Sequence, residues 1–382
     1  MKILFISFNS HPCPGGVDTY LRTLRAGLST KGHQADLLSL SDIYNLKQES
    51  LAMIAHFSKT LREKFAGDIP LWDEVIKYAF KTMFREWDLS TYDVIHSQNG
   101  TLNPIIKECY PEIPLIGTIH GCIYSESRNC GYDSKFNKFF LDYDVSAVNL
   151  PDKVITVSSY VDKNLPPIPS EKHQVIYNGV DVSYFTPQEK SNPTIKFATS
   201  GFFNYIKGYD VLLNALVLLK DEHLPYELTM FGNGAEMTRL REFAFLHQLP
   251  VTFQGHVSRE ELKQQLPLFD VFLQPSRLEN FPFAVIEAMA SGCAVICSKV
   301  NGMQEQVKQR RSGLLFEPEN VEQLAECIRY VINHREQTTK MGVQARKSAE
   351  KKFSTEVMVR KYEKVYKQLK NERRRQREDA NP

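Results

Sequence analysis

Long apolar runs are missing from this sequence. No stretch of about 18 uncharged apolar residues occurs, which excludes a membrane-spanning helix. Paired cysteines are missing as well. Cys13, Cys109, Cys122, Cys130, Cys293, Cys297 and Cys327 are scattered, odd in number and never spaced Cys-x-x-Cys. That excludes a disulfide miniprotein, argues against a zinc ribbon and favours a reducing compartment. The start, Met1-Lys2 and then Ile3 to Phe8, has one positive charge and too short an apolar run for a signal peptide. The body lacks an excess of basic charge. Residues 1–185 hold 18 Lys/Arg against 21 Asp/Glu, residues 186–350 hold 18 against 19, and residues 351–382 hold 11 against 5. The net charge of +2 therefore comes from the tail, and the body has no stripe suited to nucleic acid. An Asp-x-Asp at a strand end, which would suggest a bound metal, is also missing. Asp142-Tyr143-Asp144 has the spacing but falls in a predicted helix or loop near 136–148.

What is present is a soluble composition, with 42% hydrophobic and 24% charged residues. A chain of 382 residues suggests two domains of roughly 150–200 residues each. Strand-like runs alternate with helical patterns, the signature of parallel α/β sheets. The first series is 2–8, 34–40, 92–97, 115–120 and 153–157, and 175–177 leads into the turn-prone Asn178-Gly179-Val180-Asp181. With Pro187 and Pro193 this reads as a linker. The second series is 195–200, 227–231, 251–254, 271–274, 294–298 and 313–316. Helical faces are predicted over 208–219 and 321–333, and 43–91 reads as a helix-rich insertion holding Trp72 and Trp87. Residues 355–377 read as one long helix with Val357, Val359, Tyr362, Val365, Tyr366 and Leu369 on its apolar side.

Parallel sheets bind ligands beyond the carboxyl ends of their strands. There, after the strand ending at Gln274, a loop carries Glu279, and a helix is predicted from 280–282 to Gly292, with Asn280 as its cap and Pro282 in its first turn. Its free N–H groups suit a phosphate. Glu287 lies among Ile286, Ala288, Met289 and Ala290, where a carboxylate is costly unless donors meet it. Gly15-Gly16 follows the first strand, and His120 ends another, as a hydrogen-bonding or acid–base group.

Glu279 and Glu287, followed by Ala-Met-Ala-Ser-Gly, resemble the signature of family 4 retaining glycosyltransferases, also called group 1. Gly15-Gly16-Val17 with Tyr20-Leu21 resembles that family's first glycine loop, and Asn178-Gly179-Val180-Asp181 its hinge. Lys207-Gly208-Tyr209-Asp210 resembles its lysine motif, and Phe231-Gly232-Asn233-Gly234 and Phe253-Gln254-Gly255-His256-Val257 its nucleotide-side loops. The resemblance implies an α/β protein of the GT-B fold, two Rossmann-like parallel-sheet domains facing across a cleft. Residues 1–185 would be the acceptor side and 186–354 the donor side. Residues 355–382 would be a helix crossing back to the first domain, free beyond about Leu369.

The resemblance further implies a retaining transfer from a nucleotide sugar, UDP-linked, to a glycan, lipid-linked or small-molecule acceptor, in cell-surface or extracellular polysaccharide synthesis. His120, Glu279 and Lys207 would be the catalytic residues. Gly15, Gly16, Lys207, Gly232, Asn233, Val257, Glu279, Asn280, Phe281, Pro282, Phe283 and Glu287 would bind the donor. Glu279 would place the sugar hydroxyls and Glu287 the ribose hydroxyls. No cofactor or metal is expected, because Lys207 and the helix N–H groups would neutralise the leaving diphosphate. The family's arginine after the glycine matched by Gly201 is Phe202 here, and Arg277 is a candidate substitute. A second family histidine is Gln98 here. A nucleotide-sugar epimerase of the same fold and a non-catalytic sugar-binding protein are the alternatives. The protein is expected in the cytoplasm, its arginine-rich tail offering peripheral contact with the inner membrane face.

Overall fold

The computed structural model describes residues 1–12, 15–64, 69–129, 134–190 and 194–380. Cys13, Cys130 and Pro193 lie outside the described residues, as does the side chain of Trp72. The apolar runs of the first half become strands β1 (Lys2–Ser7), β2 (Gln34–Ser39), β3 (Val94–Ser97), β4 (Leu115–Ile119), β5 (Lys153–Thr156) and β6 (His173–Val175). They form one sheet in the order β2-β1-β3-β4-β5-β6, every pairing parallel. The second half gives β7 (Ile195–Ser200), β8 (Tyr226–Phe231), β9 (Val251–Gly255), β10 (Val271–Gln274), β11 (Ala294–Ser298) and β12 (Gly313–Phe316), in the order β12-β11-β10-β7-β8-β9 and again all parallel. Burial explains the sequence patterns. Central strands such as β4 and β10 are buried throughout, because helices cover both faces of a parallel sheet. Edge strand β9 alternates half-buried and exposed residues.

The chain divides into two compact units, residues 1–176 with 358–382, and residues 177–357. The second unit thus begins at Tyr177 rather than at 186. The linker residues pack within it: the Asn178 amide donates to the Phe281 carbonyl (2.9 Å), the Val180 N–H donates to the Phe353 carbonyl (2.8 Å), and Arg346 donates to the Phe185 carbonyl. The 43–91 region forms helices Gln48–Lys64 and Ile69–Glu86. Ile54, Phe80, Met83 and Phe84 from these helices join Leu4, Ile6 and Ile95 of the sheet in one core. In the second unit, helices Tyr209–Leu219 and Val321–Asn333 bury Leu212, Leu216, Leu324 and Ile328 against β7, β8 and β11.

The last helix, Thr355–Ala380, buries Met358, Val359, Tyr362, Val365, Tyr366 and Leu369, with Met358 taking the place expected of Val357. The segment after Leu369 is not free as expected. Lys370 Nζ lies 3.0 Å from Asp93 Oδ1, and Arg373 donates to the Tyr92 carbonyl (3.0 Å), so the start of β3 holds this part of the helix. Among the described residues no helix is long and apolar enough to cross a membrane.

Candidate functional site

The strand order of the second sheet reverses between β10 and β7. At such a switch point the loops leaving neighbouring strands diverge to opposite faces and open a crevice at their carboxyl ends. The loops after β7 and β10 carry Lys207 and Glu279. The Asn204 side chain caps the short turn Tyr205–Lys207 by accepting from the Lys207 N–H (3.2 Å). Gly208 then adopts φ 64° and ψ 27°, and the helix Tyr209–Leu219 starts. A Cβ on Gly208 would stand 2.2 Å from the Pro275 carbonyl oxygen. Glycine at this point lets the two loops touch.

That contact brings the Lys207 ammonium to Glu279, Nζ to Oε1 at 2.5 Å. Gln274 Nε2 and the Ser276 hydroxyl donate to the same carboxylate oxygen, each at 3.2 Å. Gln274 and Ser276 are fully buried, so they set the carboxylate in place. Lys207 and Glu279 keep 23% and 12% side-chain exposure. They are dry enough for a strong charge interaction and open enough to meet a ligand. Neither Gln274 nor Ser276 was expected as a site residue, although both lie in the segment that carries Glu279.

Arg277 is not available as a second phosphate cation. Its guanidinium donates twice to the Asp210 carboxylate (2.9 Å each), to Glu319 (2.9 Å) and to the Tyr205 carbonyl (2.6 Å). Those bonds raise its pKa further above the usual arginine range. It also lies 4.0 Å from the centre of the Tyr205 ring. Arg277 therefore fastens the loops after β7 and β10 to each other.

The helix after Glu279 runs over Phe283–Ala290, with Pro282 rather than Asn280 at its N-cap and no side chain capping the first turn. Pro282 sits at φ −66° and ψ 132°, which ends the extended loop and starts the helix without a polar cap. The uncapped first-turn N–H groups are the ones a phosphate would use. The rings of Phe281 and Phe283 are buried, and Phe281 stacks on Tyr177 (4.9 Å between centroids), so they can offer a ligand only backbone. Glu287 is 7% exposed, and Arg259 Nη2 lies 3.1 Å from its carboxylate. The donor that a buried carboxylate requires is thus in part an arginine. No signal in the sequence marked Arg259, since a basic residue at a helix start is common on solvated surfaces. The loops after β7, β8 and β9 are tied together: the Gly232 N–H donates to the Gly255 carbonyl (2.7 Å), and the Phe203 N–H to the Asn233 carbonyl (2.8 Å). Val257 is half-buried just beyond this tie, and Asn233 is exposed.

In the first unit the order reverses between β1 and β3. Gly15 and Gly16 lie after β1, where the helix Gly16–Ser29 starts with no side-chain cap. Ser7, Asn9, His11, Gly15, Gly16 and Asp18 line a pocket there. His11 Nδ1 lies 2.6 Å from Asp18 Oδ1. A Cβ on either glycine would meet nothing within 4 Å, so their backbone is open to a ligand. His120 follows β4 and is half-buried. Its Nε2 lies 2.9 Å from Gln98 Oε1, and its ring makes an edge contact with Tyr20 at 4.7 Å. Burial lowers its pKa to about 4, so near neutral pH it is an uncharged hydrogen-bonding group. Tyr20 is held in turn by the hydroxyls of Tyr362 (2.7 Å) and Thr118 (3.2 Å). Fully buried His96 bridges Tyr366 and Thr118, at 2.7 Å to each. Asp142 and Asp144 lie in the helix Asn137–Asn149, and Asp144 accepts from the Ile123 and Tyr124 N–H groups.

Residues 14–184 match the model of Glycosyltransferase Family 4, and residues 184–348 that of Glycosyl transferases group 1. An uncharacterized glycosyltransferase of Methanocaldococcus jannaschii is 30% identical over 282 residues, covering 72% of this chain and 76% of the relative. The chain belongs to the family 4, group 1 glycosyltransferases. Sucrose-phosphate synthase from Thermosynechococcus elongatus has the same fold, with a TM-score of 0.75, 21% identity, and coverage of 96% of this chain and 98% of that one. So does the Anabaena protein HepE, solved in complex with UDP-glucose, with a TM-score of 0.69, 18% identity, and coverage of 96% and 100%. The fold of this glycosyltransferase is accordingly of the GT-B type.

Proposed function

We propose that this glycosyltransferase moves a hexosyl or N-acetylhexosaminyl group from a UDP-linked donor, with retention of anomeric configuration and without a metal ion. The acceptor is a glycan, a lipid-linked glycan or a small molecule in cell-surface or extracellular polysaccharide synthesis, and the protein works in the cytoplasm. The observation that carries this reading is the Lys207–Glu279 pair, set by Gln274 and Ser276 at the switch point of the second sheet. The complex of HepE with UDP-glucose supports the choice of nucleotide.

Breaking the bond between anomeric carbon and phosphate leaves negative charge on the diphosphate. Lys207 and the first N–H groups of Phe283–Ala290 meet that charge before the reaction starts, so no reorganisation is needed when it develops. Glu279, already oriented, accepts from the sugar hydroxyls. The acceptor oxygen bonds to the anomeric carbon on the face the phosphate leaves, and its proton passes to the departing phosphate oxygen. Glu279 is thus a positioning carboxylate and not a nucleophile.

Glu287, with Arg259 beside it, accepts from the ribose hydroxyls. Glu287→Ala is therefore expected to weaken UDP binding by about 1–3 kcal/mol, the range for a hydrogen bond to a charged group. Calorimetry with UDP checks this, and an unchanged Kd would remove Glu287 from the donor site.

The tail supplies membrane contact in this reading. Arg374, Arg375 and Arg377 are exposed on a helix held by Lys370 and Arg373. Anionic lipid attracts such residues by about 1 kcal/mol each near the surface. Co-sedimentation with phosphatidylglycerol vesicles is expected at low salt and not at high salt. Changing Arg374, Arg375 and Arg377 together to Gln is expected to abolish it. Equal sedimentation of both proteins would refute the contact.

A further inference from the structure

Gln98 lies just past β3 and is 4% exposed. Its amide faces two groups. Nε2 lies 3.4 Å from the His96 carbonyl oxygen, and Oε1 lies 2.9 Å from His120 Nε2. The first contact orients the second, because turning the amide over would set two carbonyl oxygens against each other at His96 and leave both amide hydrogens facing His120. Oε1 has no hydrogen to give, so the hydrogen of this bond belongs to His120 Nε2. The edge contact with Tyr20 restrains rotation of the His120 ring, and Tyr20 is itself fixed by Tyr362 and Thr118.

We infer that Gln98 is a positioning residue that locks His120 as the Nε2–H tautomer, so that the ring presents the lone pair of Nδ1, and not an N–H, at the carboxyl end of β4. The inference rests on the transferase reading only for its kinetic effect; the tautomer itself does not depend on it. A neutral imidazole interconverts its tautomers freely in water, and the one presented in a site is set by the partner of the other nitrogen. A ring in the opposite tautomer would present an N–H at Nδ1 in place of an acceptor. The lowered pKa of His120 agrees, because an imidazolium would have no lone pair to offer.

The test reads the tautomer directly. Two-bond nitrogen–proton correlation NMR of the protein with ¹⁵N-labelled histidine, without ligand and near neutral pH, should show His120 with a protonated Nε2 and a bare Nδ1. Gln98→Leu should shift the ring toward a mixture. In turnover with a UDP-sugar that the wild type uses, Gln98→Leu should lower kcat about tenfold with the donor KM within about twofold, as for one hydrogen bond realised in the transition state. The amide oxygen of an asparagine reaches the position of Nδ1, whereas a glutamine amide reaches that of Nε2. His120→Asn should therefore keep several-fold more kcat than His120→Gln. A protonated Nδ1 in the wild type overturns the inference whether or not sugar is transferred, as does Gln at 120 outperforming Asn. A bare Nδ1 in a protein that transfers no sugar would count against the function and not against the lock.

Discussion

Lys207→Met is expected to lower kcat/KM for the nucleotide sugar by about 10²–10³-fold, the usual loss when one preorganised donor to a developing charge is removed. The size follows from what surrounds the ammonium. Arg277, the other cation in the loops after β7 and β10, is occupied by Asp210, Glu319 and Tyr205, and Phe202 has no charge to give. Lys207 therefore has no substitute in its own loops. Removing it also leaves the Glu279 carboxylate with Gln274 and Ser276 as its donors among the described residues. A double-mutant cycle with Glu279→Gln should show coupling of about 0.5–3 kcal/mol, as for residues in one hydrogen-bonded network. Steady-state kinetics on the two single variants and the double variant reads both quantities. Additive losses would mean that the pair does not act together.

Gly208→Ala is expected to destabilise the second unit by about 2–5 kcal/mol. An alanine held at a left-handed φ costs about 1–2 kcal/mol, and forcing a methyl group into an occupied space costs about 1–3 kcal/mol more. The space is occupied by the Pro275 carbonyl, 2.2 Å from the would-be Cβ, and backbone cannot rotate aside as a side chain can. For a unit of this size the thermal transition should fall by about 4–20 °C. The damage would not be confined to stability. Pro275 precedes Ser276, which donates to Glu279, so a displaced loop moves the carboxylate off its position. Scanning calorimetry with kinetics at a temperature where the variant is folded separates the effects. An unchanged transition would show that the close approach of the two loops is not needed.

The strands were readable in the sequence because parallel strands are buried on both faces and appear as short apolar runs ended by polar or turn residues. Five of the first-unit runs end within two residues of the observed β1 to β5. The strand–loop–helix settings of Glu279, Glu287 and Lys207 were readable as well, since their spacing is local. Partners supplied by the fold were not. Arg259 reaches Glu287 from the start of another helix, and Gln98 meets His120 from the ends of neighbouring strands. Lys370 and Arg373 meet Asp93 and the Tyr92 carbonyl from the far end of the chain. Such pairings depend on sheet order, which the apolar pattern does not encode. Asn280 failed as a cap for a related reason: the loop stays extended through Pro282, so the polar residue lies too early to reach the first-turn N–H groups.

Retaining transfer from a UDP-sugar at the Lys207–Glu279 site is tested most directly by proton NMR of the protein with UDP-hexoses and UDP-N-acetylhexosamines in EDTA and without acceptor, so that water takes the acceptor's place. Slow release of free sugar is expected with at least one donor, appearing first as the anomer present in that donor and lost in Lys207→Met. Appearance of the opposite anomer first, accumulation of an epimeric UDP-sugar, or turnover only after Mg²⁺ or Mn²⁺ is restored would contradict it.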